Sequence, residues 1–139
     1  MSAPKILVRD YMKSLSLSFT ASTGVEEIVK ALIKNKVVGA PVLDENKKLI
    51  GFVTERDCLR QMLNDSYYCE DHQVASDIMR ASPLSVSPDE DIMALAEKMT
   101  KPMPKLYPVV ESGKVIGIIT RSDVLKALSL ARVNSCGVK

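Results

Sequence analysis

LIGFVTERDCLRQML, from Leu49 to Leu63, and VIGIITRSDVLKAL, from Val115 to Leu128, follow one pattern. Each opens on an apolar pair and a glycine and continues through strand-forming residues to a threonine. Two unlike positions lead to an aspartate, and helical spacing takes over. The pattern predicts a strand that turns directly into a helix.

The likeness extends along the whole chain. Asp10 and Met12 recur as Asp77 and Met79, and Pro41 recurs as Pro108, all 67 positions on; Gly51 and Asp57 recur as Gly117 and Asp123, 66 positions on. A one-residue deletion between DENKKL and ESGKV absorbs the difference. The sequence therefore reads as two copies of one unit, residues 1–66 and 67–133, with a tail at 134–139.

Each copy reads β-α-β-β-α. An approach segment (VRDYM, ASDIM) leads into a short strand, with alternating Leu15, Leu17 and Phe19 in copy one and Leu84 and Val86 in copy two. A helix follows, with Val25, Ile28, Val29 and Leu32 on one face in the first copy. Ser87, Pro88 and Glu90 predict a capping box and helix start in copy two; Thr23 with Glu26 is the weaker equivalent in copy one. Pro102 and Pro104 are expected to end the second copy's helix early. VVGAPVLD and LYPVVE read as apolar strands, with Pro41 and Pro108 at an edge that needs no N–H. The fold class expected is α/β (α+β), two repeats packed sheet to sheet about a pseudo-twofold axis, because about 60 residues alone bury too little apolar surface.

Composition narrows the function classes. With no Trp and only 4% aromatic residues, the core must be aliphatic. Seven methionines, Met93, Met99 and Met103 among them, read as flexible core filler. A net charge of +2 with interspersed signs gives no reason to expect a nucleic-acid partner. Cys58, Cys69 and Cys136 show no metal or redox spacing, which suits a reduced, cytoplasmic protein. No signal peptide or membrane span is expected. Cys69, Glu70, Asp71 and His72 form one short cluster, a weak metal signal. No phosphate loop, nucleophile elbow or HExxH is present, so no enzyme is expected.

GAPVLDENKKLIGFVTERD and LYPVVESGKVIGIITRSD, each followed by a helix, resemble the CBS domain, named for cystathionine β-synthase; two in tandem form a Bateman module. The resemblance covers about residues 5–131. It implies a non-catalytic regulatory module that binds an adenosine-containing ligand in a cleft between the repeats. AMP, ADP or ATP is expected, with S-adenosylmethionine or an NAD-type ligand as alternatives and magnesium only as a phosphate counter-ion. It also implies a homodimer and a regulated protein yet to be identified, with no catalytic cofactor.

Thr54 with Asp57, and Thr120 with Asp123, support two readings. Thr with Asp three residues on caps a helix. The same geometry offers N–H groups to a phosphate and a carboxylate to a ribose diol. Arg56 and Ser122 precede the aspartates, a position the resemblance places near phosphate; Glu55 and Arg121 are the pair before them, and if both faced phosphate Glu55 would repel it, leaving Arg121 the better partner. The resemblance implies that the strands holding Gly39, Ala40 and Pro41, and Tyr107 and Pro108, line the base pocket, where Tyr107 either stacks on a base or fills the space. Val37, Val42, Val109 and Val110 read as core. The resemblance implies that the approach segments, with Lys13, Ser14 and Ser16 in copy one and Arg80, Ser82 and Pro83 in copy two, pass beside the cleft and supply base or phosphate contacts, with Arg80 the expected phosphate contact. The competing reading is a structural dimerisation module whose clefts are empty or plugged, favoured by Tyr107 and the Pro102/Pro104 loop.

Overall fold

The structure is a computed structural model that describes residues 5–68, 73–102 and 104–136. In chain order its elements are α1 (Val8–Tyr11), β1 (Lys13–Ser14), α2 (Val25–Asn35), β2 (Gly39–Leu43), β3 (Leu49–Thr54) and α3 (Glu55–Tyr68). Then come α4 (Ala75–Ile78), β4 (Arg80–Ala81), α5 (Ile92–Met99), β5 (Leu106–Glu111), β6 (Lys114–Thr120) and α6 (Arg121–Cys136). The quoted stretches are indeed strands running without a break into helices, β3 into α3 and β6 into α6.

The chain forms two compact units, and each is built from both sequence repeats. One gathers Met1–Ser14, Ser85–Glu111 and Ile116–Lys139; the other gathers Leu15–Leu84 and Ser112–Val115. Each approach segment thus pairs with the strands of the other copy. In the first unit the sheet order is β1-β6-β5, with Lys13 opposite Ile118 and Ser14 opposite Gly117. In the second it is β2-β3-β4, with Arg80 opposite Phe52 and Ala81 opposite Gly51.

The same bonds fasten both segments. Val8 N–H donates to Glu90 O and Arg9 N–H to Pro88 O; Ala75 N–H donates to Thr23 O and Ser76 N–H to Ala21 O. Asp10 and Asp77 recur because each accepts a backbone N–H at the head of its short helix, Leu7 at 3.4 Å and Val74 at 2.8 Å. Gly51 and Gly117 recur because the pairing is close. A Cβ at Gly117 would strike the Lys13 carbonyl oxygen, and one at Gly51 would strike the Met79 side chain.

Each unit has an aliphatic core of its own. Val8, Ile92, Leu95, Val109 and Ile119 are fully buried in one, and Ile28, Val42, Val53 and Ala75 in the other. Each fully buried Ile or Leu contributes on the order of 2 kcal/mol of apolar burial. Val37 and Val110 are half-buried. Pro41 and Pro108 are fully buried on β2 and β5, the edge strands of their sheets, as their missing N–H requires. The hairpins differ in how they turn. Ser112 and Gly113 have φ of 54° and 81°, the positive pair a two-residue turn between strands needs. In copy one Asp44 Oδ1 instead accepts from Asn46 and Lys48 N–H, and the register shifts between Val42 and Leu43.

Four expectations need correction. The helix starts lie later than the caps predicted. Ser87, Pro88 and Glu90 form a turn, with Glu90 N–H on Ser87 O, and α5 is capped by Asp91, which accepts from Met93 N–H at 3.0 Å. Thr23 spends its hydroxyl on Thr20 N–H, and α2 starts after Gly24 with no side-chain cap. The strands expected at Leu15–Phe19 and Leu84–Val86 shrink to single parallel bridges, Phe19 to Val42 and Val86 to Val109, and Leu84 is exposed. Of the methionines taken as core filler, Met99 is buried but Met93 is exposed, while Met103 lies outside the described residues. The prolines do act as expected: α2 ends at Asn35, whereas α5 ends at Met99, three residues short of the equivalent position.

Candidate functional site

Both threonine–aspartate pairs are reciprocal capping boxes. Thr54 N–H and Oγ1 donate to Asp57 Oδ2 at 2.9 and 3.0 Å, and Asp57 N–H donates back to Thr54 Oγ1 at 3.3 Å. At the other unit Thr120 N–H and Oγ1 donate to Asp123 Oδ2, both at 2.9 Å, and Asp123 N–H returns to Thr120 Oγ1 at 3.3 Å. The sequence folds this way because a strand ending in Thr presents its hydroxyl to the N–H three residues on.

The boxes constrain what the helix starts offer. The first helical N–H groups are occupied, Glu55 by Val38 O at 2.8 Å and Arg121 by Lys105 O at 2.9 Å. The third in each turn, on Asp57 and Asp123, faces its threonine. The Arg56 and Ser122 N–H groups between them find no acceptor among the described residues, so each start holds one first-turn donor for an anion rather than three. Glu55, Arg56, Arg121 and Ser122 are all exposed.

The two aspartates differ in their surroundings. Asp123 is 7% exposed and its second oxygen, Oδ1, lies 3.2 Å from Lys13 Nζ. Asp57 is half-buried, and its Oδ1 has no partner among the described residues. Arg80, the equivalent of Lys13, makes no ion pair among the described residues, although its backbone sits opposite Phe52 as Lys13 sits opposite Ile118. Sequence reasoning placed Lys13 on a segment expected to supply base or phosphate contacts, but not against Asp123. The signal was available in its 67-residue spacing from Arg80, but which lysine meets which aspartate depends on the crossing of approach segments between units.

The remaining candidates divide between the units. Ser16, Gly39, Ala40, Pro41, Arg80 and Pro83 fall in the unit of Thr54 and Asp57; Tyr107 and Pro108 fall in that of Thr120 and Asp123. Gly39 and Ala40 are buried opposite Thr54 and Val53, and a Cβ at Gly39 would lie 2.8 Å from both the Phe52 ring and Val53 O. Ser16 and Arg80 are exposed and Pro83 is half-buried. Tyr107 is 3% exposed and packs in the core with Val86, Ile92 and Val109. Among the described residues its hydroxyl is buried without a partner, as is Glu90 Oε2. Burial first, and the Glu90 charge second, hold the Tyr107 hydroxyl above its ordinary pKa. Beside Asp57, the buried Cys58 thiol is pushed up to about 11, by burial first and then by Asp57 and Glu55.

Among the described residues no group of three or more His, Cys, Asp or Glu is placed to hold a metal ion; the Cys69–His72 cluster lies outside them. Among the same residues no helix is long and apolar enough to cross a membrane.

The fold and the paired boxes define a duplicated module, and comparison with known proteins agrees. The CBS domain family model matches twice, at residues 8–64 and 75–130. The chain belongs to the CBS domain family. It is 32% identical to the methylated protein MJ0556 of Methanocaldococcus jannaschii, over 89% of this chain and 74% of that protein. It superposes on CBSX2 in complex with AMP with a TM-score of 0.80 and 30% identity, covering 91% of this chain and 98% of that one; CBSX2 is an Arabidopsis thaliana CBS-pair protein. A second likeness is the CBS pair of protein MJ0100 in complex with 5′-methylthioadenosine and S-adenosyl-L-methionine, with a TM-score of 0.77, 26% identity, and coverage of 92% and 99%. The chain spans from 14% to 74% of the length of four curated relatives it matches. Two of those are enzymes by name, an A-adding tRNA nucleotidyltransferase and an L-aspartate semialdehyde sulfurtransferase.

Proposed function

We propose that this chain is a non-catalytic sensor that binds an adenosine-containing nucleotide, AMP, ADP or ATP, at its two Thr-x-x-Asp boxes. One observation carries the reading. Each box uses a single carboxylate oxygen for capping and leaves the other outside it, where a ribose diol can donate. In this reading the halves 1–66 and 67–133 each contribute one box, and 134–139 is a tail. Thr54, Asp57, Thr120 and Asp123 hold the sugar, Arg56, Arg121, Ser122 and Arg80 serve the phosphates, and the strands around Gly39–Pro41 and Tyr107–Pro108 meet the base. Ser16 and Pro83 flank it, and magnesium serves only as a phosphate counter-ion. The AMP of CBSX2 supports a nucleotide, and the ligands of MJ0100 make S-adenosylmethionine the alternative. Among the described residues the site has no paired carboxylates, histidine or thiolate with which to turn a ligand over. We place the protein in the cytoplasm, acting on a partner protein.

A ligand at 100 times its Kd stabilises the folded state by about 2.7 kcal/mol. Melting curves with AMP, ADP, ATP and S-adenosylmethionine should show a rise with at least one, reduced in Asp57→Ala and Asp123→Ala. No shift across the panel overturns the reading.

A homodimer fits the same protein. Leu59, Met62 and Leu63 are 65%, 44% and 65% exposed at i, i+3 and i+4 on α3, and Leu125 and Leu130 are exposed on α6. Leu59 and Leu125 are 66 positions apart, the interval of the repeat. Light scattering of Leu59→Glu/Leu63→Glu should give a monomer where the unmodified chain gives a dimer. The second reading, a dimerisation module that senses nothing, is favoured by the burial of Tyr107; its signature is a dimer indifferent to the whole ligand panel.

A further inference from the structure

The two boxes are alike in their internal bonds and unlike in what is left over. A carboxylate oxygen has about two acceptor positions. Oδ2 fills both in each box, with the N–H and the hydroxyl of the preceding threonine. A ribose diol therefore has to find its two acceptor positions on Oδ1. Asp57 Oδ1 has both vacant among the described residues, whereas Asp123 Oδ1 already faces the Lys13 ammonium at 3.2 Å. That ammonium is held in register by backbone pairing, since Lys13 sits opposite Ile118 and its carbonyl lies against Gly117.

We infer that Lys13 is a specificity-determining lock on the Asp123 box, making the two boxes inequivalent: a neutral diol binds Asp57 directly but must displace a cation to bind Asp123. The inference rests on the nucleotide-binding reading and deepens it. Lys13 is supplied by the approach segment of the opposite repeat, so the lock exists only because segments cross. Arg80, its counterpart, leaves Asp57 unlocked. The consequence is chemical selectivity. The Asp123 box disfavours an uncharged nucleoside, while a phosphorylated one gives the displaced ammonium a new anionic partner.

The test uses adenosine, which carries no charge, and the full chain with one box disabled. In an Asp57→Ala background, Lys13→Met should tighten adenosine binding by about two- to five-fold, the range expected for a pair whose lysine is largely exposed. The same substitution in an Asp123→Ala background should change it less than two-fold. Raising salt should tighten adenosine binding in Asp57→Ala and leave Asp57→Ala/Lys13→Met unmoved, because screening weakens the lock. Lys13→Arg should keep it. Weaker binding with Lys13→Met makes Lys13 a ligand contact and overturns the inference, as do equal affinities in both backgrounds with no response to the substitution. Failure of the unmodified chain to bind adenosine, AMP or S-adenosylmethionine instead overturns the nucleotide-binding reading, and the lock with it.

Discussion

Replacing Tyr107 by Phe should make this protein more stable, although it removes a polar group from a packed core. The ring is 3% exposed and its hydroxyl has neither a partner among the described residues nor access to solvent. In the unfolded chain water satisfies that hydroxyl; in the folded chain no described residue does. An unmatched buried group of this kind costs about 1–3 kcal/mol. Phe keeps the ring and loses one oxygen, so the accompanying packing loss is small. A gain of about 1–2 kcal/mol is expected. For 139 residues the unfolding entropy is roughly 0.3 kcal/mol/K. The melting midpoint should therefore rise by roughly 3–6 °C, and the urea midpoint should rise at unchanged m-value.

The alkaline side of the stability curve gives an independent readout. Burial, with the Glu90 charge adding to it, raises the folded-state pKa of Tyr107 above its ordinary value of 10.0. A raised acid is held neutral by the fold, so its stabilising contribution is complete below the unfolded pKa and is lost as pH climbs from 10 through the folded value. Tyr107→Phe deletes that loss. The stability gap between variant and parent should widen above pH 10. A destabilised variant, or a gap flat with pH, would show that an internal water or side chain satisfies the hydroxyl, and the reasoning from an orphaned group would fall.

Two further perturbations read other parts of the fold. Cys58 is buried with its thiol raised from 9.0 to about 11, so stability of order 2 kcal/mol should disappear between those pH values as the thiolate forms. With Cys69 and Cys136 replaced by alanine, a thiol reagent at pH 8 should modify Cys58 only in denaturant; rapid reaction of the folded protein would contradict its burial. Gly117→Ala should cost about 2–3 kcal/mol because the new Cβ meets backbone, whereas Gly51→Ala should cost about 1 kcal/mol because it meets the flexible Met79 side chain. Urea titration of both variants checks the order, and the reverse ranking would refute the close-approach account of these glycines.

The quoted stretches carried the fold because two independent signals coincided in them: the strand-to-helix change of period, and the recurrence of Gly, Thr and Asp at one spacing. Helix bodies were legible for the same reason, and α2 occupies the apolar-periodic run it was read from. Their starts were not. Thr23 and Ser87 look like caps locally, but Thr23 N–H and Glu90 N–H close turns onto Thr20 O and Ser87 O, while the carbonyls of Thr23 and Glu90 accept from the exchanged approach segments. Those partners are 52 and 82 residues away along the chain, Ala75 and Val8, and local propensity cannot report them. The expected strands at Leu15–Phe19 and Leu84–Val86 failed similarly. Alternation marked the inward side chains in copy one but not Leu84, which is exposed, and only Phe19 and Val86 reach a pairing position. Thr54, Asp57, Thr120 and Asp123 were found as pairs, but the cation beside one of them was not.

That omission bears on how the capping and binding readings of the boxes relate. The sequence supports both, and the geometry divides them between two oxygens of one carboxylate. Oδ2 is committed to the helix start in both units, so Asp57→Ala or Asp123→Ala would lose helix stability, about 1 kcal/mol, whether or not a ligand ever binds. Loss of stability in these variants is therefore no evidence for a binding role. Asn separates the two: its amide oxygen takes the place of Oδ2 in accepting from threonine, while its NH2 presents donors where Oδ1 accepted. Asp57→Asn should keep most of the ligand-free stability and lose most of the ligand-induced rise in melting point. If Asp57→Asn retains the full rise, the carboxylate is a helix cap and nothing more.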